Sequence, residues 1–118
     1  MQKLSEQTLA AIGRMTIAAT DVEYLLAWTA GAPAAFAQPG ESLAAARASA
    51  RSAGGPDPEQ VIAAVEAAGT QLALSQVALR RLWRDDSPAD PAVFVQITAQ
   101  LLGLHTWLQN LVAEQVGR

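Results

Sequence analysis

The sequence predicts an all-α fold: an up-and-down antiparallel four-helix bundle with three long helices and one short helix, in a single domain over residues 1–118. First, apolar residues recur at steps of three and four along three long segments, as in helices with one buried face. Second, proline and glycine are concentrated between those segments, at residues 31–40 and 52–58. Third, no segment shows the two-residue alternation of a half-buried strand. Connections this short make consecutive helices antiparallel neighbours.

The first helix is predicted to begin near Ser5, whose hydroxyl can cap the amides that follow it, and to end just before Gly31. Its exposed seam is predicted at Gln7, Arg14 and Asp21, which repeat every seven residues. The buried stripe is predicted to contain Leu9, Ile12, Met15, Ala19, Val22 and Leu26.

Residues 31–40 are predicted to form a connection that Phe36 fixes against the bundle. A short, alanine-rich helix then runs from about Glu41 to Ala53. Arg47 and Arg51 are four residues apart and therefore lie on one side of it.

The third helix is predicted to begin after Asp57, which can cap its first turn, and to end near Asp86. The fourth helix is predicted to begin at Asp90 and Pro91 and to end by Gly117. The predicted buried stripes are Val61, Val65, Ala68, Leu72, Ser75, Leu79 and Leu82 on the third helix, and Phe94, Ile97, Leu101, Leu104, Leu108 and Leu111 on the fourth.

The composition indicates a core of small side chains, because apolar residues make up 51% of the chain but aromatic residues only 5%. Charged residues make up 16%, against about 25% in an average soluble domain. A chain of this size should need more charge to cover its surface, so we expect part of the apolar excess to lie in a homodimer contact.

The charge balance and residue usage exclude several functional classes. A net charge of −3 and a pI near 4.9 are not typical of a dedicated nucleic-acid-binding protein. The chain has no cysteine, so it can form neither a disulfide nor a thiolate metal site. No signal peptide or membrane-spanning run is recognised in the sequence, which favours a cytoplasmic protein. We expect no cofactor and no metal.

The segment 72–79 is apolar almost all round a helix, apart from Ser75 and Gln76. Such a segment must be buried on several sides, and a four-helix bundle covers a helix on at most three. We therefore expect its remaining face, which includes Leu74, to contact a second subunit. The Ser75 hydroxyl is expected to bond to its own helix backbone four residues earlier.

Glu23 is the most unusual polar residue, since its position on the first helix places it toward the buried stripe. A carboxylate there is unfavourable unless it is paired or hydrogen-bonded. The favoured interpretation is therefore a structural pair with an arginine or a hydroxyl. The alternatives are a functional carboxylate with a raised pKa or a different helix phase.

Two further groups are candidates for ligand or anion binding. Arg80, Arg81 and Arg84 can bind phosphate or carboxylate through their guanidinium groups, although the acids that follow them favour ordinary ion pairs. His105 is the single histidine, so it is a poor metal site and a structural role is favoured over acid–base catalysis.

Two tryptophans are predicted on polar sides of their helices. Trp28 lies seven residues after Asp21, so it extends the exposed seam of the first helix. Trp107 lies on the polar side of the fourth helix. Tryptophan is enriched at binding hot spots, so both are interface candidates. The alternative is that a loop such as residues 31–40 covers them.

Residues 12–26, read together with Ser75 to Trp83, resemble small actinobacterial helical-bundle proteins of the HEPN-like kind. Active members carry an arginine, a polar residue and, a few positions on, a histidine that together cleave RNA. Aligned on Leu82 and Trp83, this chain has Ser75 and Gln76 in place of the first two and Arg80 in place of the histidine. The resemblance therefore implies the fold and a paired-subunit arrangement without the ribonuclease activity.

The sequence favours a non-enzymatic interaction or regulatory module that acts as a homodimer with a protein partner, such as a toxin, a nuclease or a phage protein. One alternative is a degenerate HEPN-like protein that binds RNA or nucleotides through its arginines. The other is a bundle that binds a small ligand in a cavity lined by Leu72, Leu79, Leu101 and Leu104.

Overall fold

The computed structural model contains four α-helices and one short 3-10 helix, which confirms the predicted all-α four-helix bundle of three long helices and one short one. The described part of the chain is residues 3–52, 57–84 and 90–116, with backbone alone for residues 114–116. The elements are α1 (Glu6–Thr29), the 3-10 helix η1 (Pro33–Ala37), α2 (Glu41–Ser52), α3 (Pro58–Arg84) and α4 (Pro91–Val116).

Local chemistry sets the helix boundaries much as the sequence predicts. The Ser5 hydroxyl accepts a hydrogen bond from the Thr8 amide at 3.1 Å and so caps α1. The Asp90 carboxylate accepts one from the Ala92 amide at 2.9 Å at the start of α4. Gly31 adopts a φ of 67°, which ends α1 in the left-handed conformation that favours glycine. The predicted helix ends at Ala53, Asp86 and Gly117 lie outside the described residues.

The predicted buried faces are confirmed for α3 and α4, whereas α1 is rotated relative to its predicted stripe. Leu9 is 53% exposed, and Ala11 and Ala18 are buried in its place. Met15, Val22 and Leu26 are buried as predicted, so the difference lies in the other positions. The reason is that the alanines of α1 make more than one helix face apolar, so spacing alone does not fix which face is buried. The predicted polar seam through Gln7 and Asp21 is exposed.

The helices pack in a closed ring in which each of α1, α2, α3 and α4 contacts the next and α4 returns to α1. Ring adjacency of this kind places one core between the four helices. Thr29 of α1, Ala50 of α2, Val61 of α3 and Leu111 of α4 line a common pocket at one end of the bundle. The late parts of α1, α2 and α4 therefore share an end with the early part of α3, so α3 runs opposite to the other three.

The predicted antiparallel order of consecutive helices holds for α2 with α3 and for α3 with α4, but it is wrong for α1 and α2, which run in the same direction. Phe36 packs edge-on against Tyr24 of α1, with ring centroids 5.1 Å apart, so the connection returns along α1. As a result α2 starts beside Glu23 and not beyond the end of α1. The predicted fixing role of Phe36 is thus seen in the structure.

The closest approach between α2 and α3 is at Gly69. A Cβ atom built on Gly69 would lie 3.1 Å from Nη2 of Arg47 and 3.2 Å from Cδ2 of Leu43. The absence of a side chain therefore lets α2 lie directly on α3. Gly13, also inside a helix, has no atom within 4 Å of such a Cβ.

Among the described residues, α3 is the one helix long and apolar enough to cross a membrane by length and composition alone. In the structure, 39% of the most apolar 18-residue stretch of α3 is buried, and the helix packs against α1, α2 and α4. A core helix of a soluble bundle meets the same criterion, so the compact structure is compatible with a soluble protein.

Replacing Gly69 and Gly13 separately with alanine should reveal the close contact between α2 and α3. Alanine inside a helix is favoured over glycine by about 1 kcal/mol, so Gly13→Ala should raise the free energy of unfolding by roughly that amount. Gly69→Ala should gain distinctly less, because its methyl group must displace Arg47 and Leu43. Urea unfolding measures both, and equal gains would contradict the packing described at Gly69.

Candidate functional site

A groove of about 360 Å³ lies where α2 begins, between α1 and α3. We call it the Glu23 groove. It combines one carboxylate, one guanidinium, one amide and one hydroxyl with apolar walls. The lining residues are Glu23, Pro39, Gly40, Ser42, Leu43, Gly69, Leu72, Ala73, Gln76 and Arg80.

The groove exists because α2 is much shorter than the helices beside it. α2 has 12 residues, against 24 in α1 and 27 in α3, and it starts level with Glu23. Gly40 allows this start, because its φ of 83° turns the chain into α2 through a conformation that other residues rarely adopt. The first half of α1 and the last turns of α3 lie beyond this start, on the side away from α2, so α2 does not cover them.

Glu23 is half-buried in this groove, and desolvation raises the pKa of its carboxyl group. None of the described residues forms an ion pair or hydrogen bond with it. The favoured interpretation of a structural pair therefore finds no partner within the described part of the chain. The structure instead fits the alternative of a carboxylate with a raised pKa.

Ser42 is the second unpartnered polar group in the groove. Its side chain is 2% exposed, and its Oγ atom has no hydrogen-bond partner among the described residues. The first hydrogen bond within α2 joins the Ala44 amide to the Gly40 carbonyl at 3.2 Å. The amides of Ser42 and Leu43 therefore have no acceptor within their own helix, as in the first turn of any α-helix.

Only one of the three arginines near the end of α3 lines the Glu23 groove. Arg80 lines the Glu23 groove, whereas Arg81 and Arg84 are exposed elsewhere on the helix. None of the three forms an ion pair with a described residue. The acids predicted to neutralise them, Asp85 and Asp86, lie outside the described residues.

Arg47 is engaged with α3, so it does not extend the arginine cluster. Its guanidinium donates to both carboxylate oxygens of Glu66, from Nε at 2.9 Å and from Nη2 at 3.1 Å. This hydrogen bonding to Arg47 lowers the pKa of Glu66, with smaller contributions from the charges of Arg47 and Arg51. The pair holds α2 against α3 beside Gly69.

The structure gives Ser75 and His105 no shared site. Ser75 is buried, and its hydroxyl donates to the Leu72 carbonyl at 2.6 Å, three residues back along the helix where four had been predicted. His105 is half-buried on α4. No group of three or more metal-binding side chains occurs within the described ranges.

The tryptophans differ in environment. Trp28 is 54% exposed and lies edge-on to Tyr24, with ring centroids 6.0 Å apart, and Tyr24 in turn packs edge-on against Phe36 of the connection. Trp107 is half-buried and packs against the core, which makes it a structural residue in the single chain. Trp83, near the end of α3, is 67% exposed.

A second, shallower groove runs between α3 and α4 and contains the predicted interface residue Leu74. We call it the α3–α4 groove. Leu74 is 45% exposed, so the bundle leaves this side of the segment 72–79 uncovered. The lining residues are Gln71, Leu74, Val93, Gln96, Ile97 and Gln100, none of which is ionisable.

The chain matches no known protein family, no curated protein and no solved structure. The HEPN-like resemblance of residues 12–26 and Ser75 to Trp83 therefore stays a prediction.

Sequence reasoning found Glu23 and Arg80 but missed Ser42 and Leu43. Both lie in the first turn of an alanine-rich helix, where no periodic pattern marks them. The sequence does contain one signal of a polar site on α3: Gln76 interrupts an apolar segment. In the structure Gln76 lines the Glu23 groove together with Leu72. Of the four leucines predicted to line a cavity, Leu72 alone lines the Glu23 groove.

Glu23→Gln should make stability less dependent on pH. The folded-state pKa of Glu23 is raised, so the folded protein holds this proton more tightly than the unfolded chain does. Stability is therefore lost as the pH rises from the unfolded pKa through the folded one. We expect Glu23→Gln to unfold at a higher urea concentration than the parent at pH 7, and at a similar one at pH 4.

The control is Asp21→Asn, an exposed carboxylate on the same helix, for which we expect no such pattern. A Glu23→Gln variant less stable than the parent at pH 7 would instead indicate a paired carboxylate.

Proposed function

We propose that this protein is a non-enzymatic, cytoplasmic helical interaction module that acts as a homodimer and contacts a further protein. The observation that carries the proposal is the uncharged α3–α4 groove, where the apolar side chains of Leu74 and Val93 are exposed on the single chain. A helical bundle that is complete in one chain would bury these side chains or replace them with charged ones.

The chemistry of the groove suits a second copy of the same surface. A twofold interface brings each patch against itself, so a charged patch would meet like charge. The chain carries a net charge of −3, yet the α3–α4 groove has only glutamines and apolar residues. Its glutamine amides can both donate and accept, which allows them to pair with their own copies.

Apolar exposure continues on both sides of the groove. On α3, Val77 is 44% exposed close to Leu74. On α4, Val93 is 47% exposed on the groove side, whereas Val95 and Leu102, each 56% exposed, lie on the opposite side of that helix. No residue between positions 91 and 113 is Asp, Glu, Lys or Arg, so α4 presents this face without charge.

Light scattering over a dilution series should report about twice the chain mass, because twofold dimers are the commonest soluble oligomers. Leu74→Glu should shift the protein to monomer by placing a carboxylate in the apolar contact. The matched control is Ile17→Glu, which changes an exposed residue on α1 and should leave the dimer intact. A monodisperse parent monomer at high concentration would rule out this surface as a self-contact.

The non-enzymatic part of the proposal is supported by the separation of the candidate groups along the bundle. The α3–α4 groove places Leu74 beside Val93 and Ile97, and the pocket at the other end places Val65 beside Leu108. His105 is therefore level with α3 residues between Val65 and Leu74. His105 and Arg80 are therefore separated by roughly three helical turns along the bundle. This distance is too large for the two side chains to act on one phosphate.

Incubation of the purified protein with single-stranded RNA should leave the RNA intact, because no histidine lies beside the arginines to transfer a proton. Gel analysis of the RNA over time measures this directly. Cleavage that disappears in a His105→Ala variant would refute the non-enzymatic proposal. Binding without cleavage that weakens steeply with salt would favour a degenerate RNA-binding protein.

A further inference from the structure

The Glu23 groove holds several polar groups that the proposed interaction function does not use. Among the described residues, Glu23 makes no ion pair or hydrogen bond and the Ser42 Oγ has no partner. Buried polar groups in folded proteins are normally paired, and a group left without a partner is destabilising. A bound polar molecule would supply the missing partners of both.

The two sides of the groove favour opposite charges. The Glu23 carboxylate, half-buried on the α1 side, favours a cationic donor such as an ammonium group. On the opposite side, the free amides of Ser42 and Leu43 at the start of α2 favour an anionic acceptor. The Ser42 hydroxyl can donate to the same anion.

The walls of the groove are apolar and leave room for an aliphatic group. Leu43 and Leu72 line it together with Ala73. Gly69 adds no side chain there, and the exposed Arg80 lines the groove without an ion pair to a described residue. A site of this kind combines apolar packing with a few polar groups that orient the ligand.

We propose that the Glu23 groove binds a free α-amino acid with an aliphatic side chain. The ligand carboxylate lies at the start of α2, where it accepts hydrogen bonds from the Ser42 hydroxyl and the first-turn amides. The ligand ammonium group donates to Glu23, and the side chain packs against Leu43 and Leu72. This inference is independent of the homodimer, because the α3–α4 groove shares no residue with the Glu23 groove.

The first test is thermal unfolding of the full chain with each of the twenty standard amino acids at millimolar concentration and pH 7. A ligand that binds only the folded state raises the melting temperature. We expect the largest rise from leucine and other aliphatic amino acids. A melting temperature that no amino acid raises would overturn the proposal.

Calorimetric titration then separates the two ends of the ligand. Leucine should bind at least about tenfold more tightly than either of two analogues. The first, 4-methylpentanoate, lacks the ammonium group, and the second, 3-methylbutylamine, lacks the carboxylate. Each analogue therefore loses hydrogen bonds of a charged group. If 4-methylpentanoate binds as tightly as leucine, the groove is an anion site. If the amine binds as tightly, it is a cation site. Either result would overturn the assignment of an amino-acid site.

Two substitutions test which residue binds the ammonium group of the ligand and which binds its carboxylate. Glu23→Gln should weaken leucine about tenfold, because it removes a charge-assisted hydrogen bond to the ammonium group. It should not weaken 4-methylpentanoate, because that compound has no ammonium group and loses only the repulsion from the Glu23 carboxylate. Ser42→Ala should weaken both compounds, because both carry the carboxylate. Asp21→Asn is the control and should bind leucine as the parent does. Circular dichroism establishes that each variant is folded, and a folded Glu23→Gln protein with undiminished leucine affinity would refute the site.

Discussion

Close approach of helices through small side chains is the constraint on which the structure depends. Eight of the twenty buried apolar residues in the described part of the chain are alanine. At Gly69 even a methyl group would press on Leu43 and Arg47. Small residues reduce the area that each contact buries, so stability must come from many close contacts along long helices and not from a few large side chains.

The same constraint explains how polar and apolar features are distributed. Because α2 lies directly on α3, Arg47 can reach Glu66 across the contact and form a two-point hydrogen-bonded pair. The start of α2 also lies close enough to α1 for Ser42 and Glu23 to line one groove. Both the ion pair and the groove therefore follow from the position of one short helix.

The helix pattern could be predicted from the sequence because α3 and α4 bury large residues at regular steps, as Leu72 and Leu101 illustrate. The phase of α1 could not, because its alanines make more than one face apolar, so spacing alone does not show that Ala11 is buried and Leu9 exposed. The direction of α2 depends on the fold of residues 31–40, which periodicity does not describe. Without that direction, nothing in the sequence places Ser42 in the groove.

The number of helices in the bundle changes along its length, from four helices beside α2 to three at the opposite end. Amide protons in the first half of α1 and the last turns of α3 are protected by fewer neighbouring helices, so local opening should require less free energy there. Hydrogen exchange would then be fastest at the three-helix end in the isolated chain. A molecule that covers this end would slow that exchange, so exchange rates could locate a partner on the bundle before its identity is known.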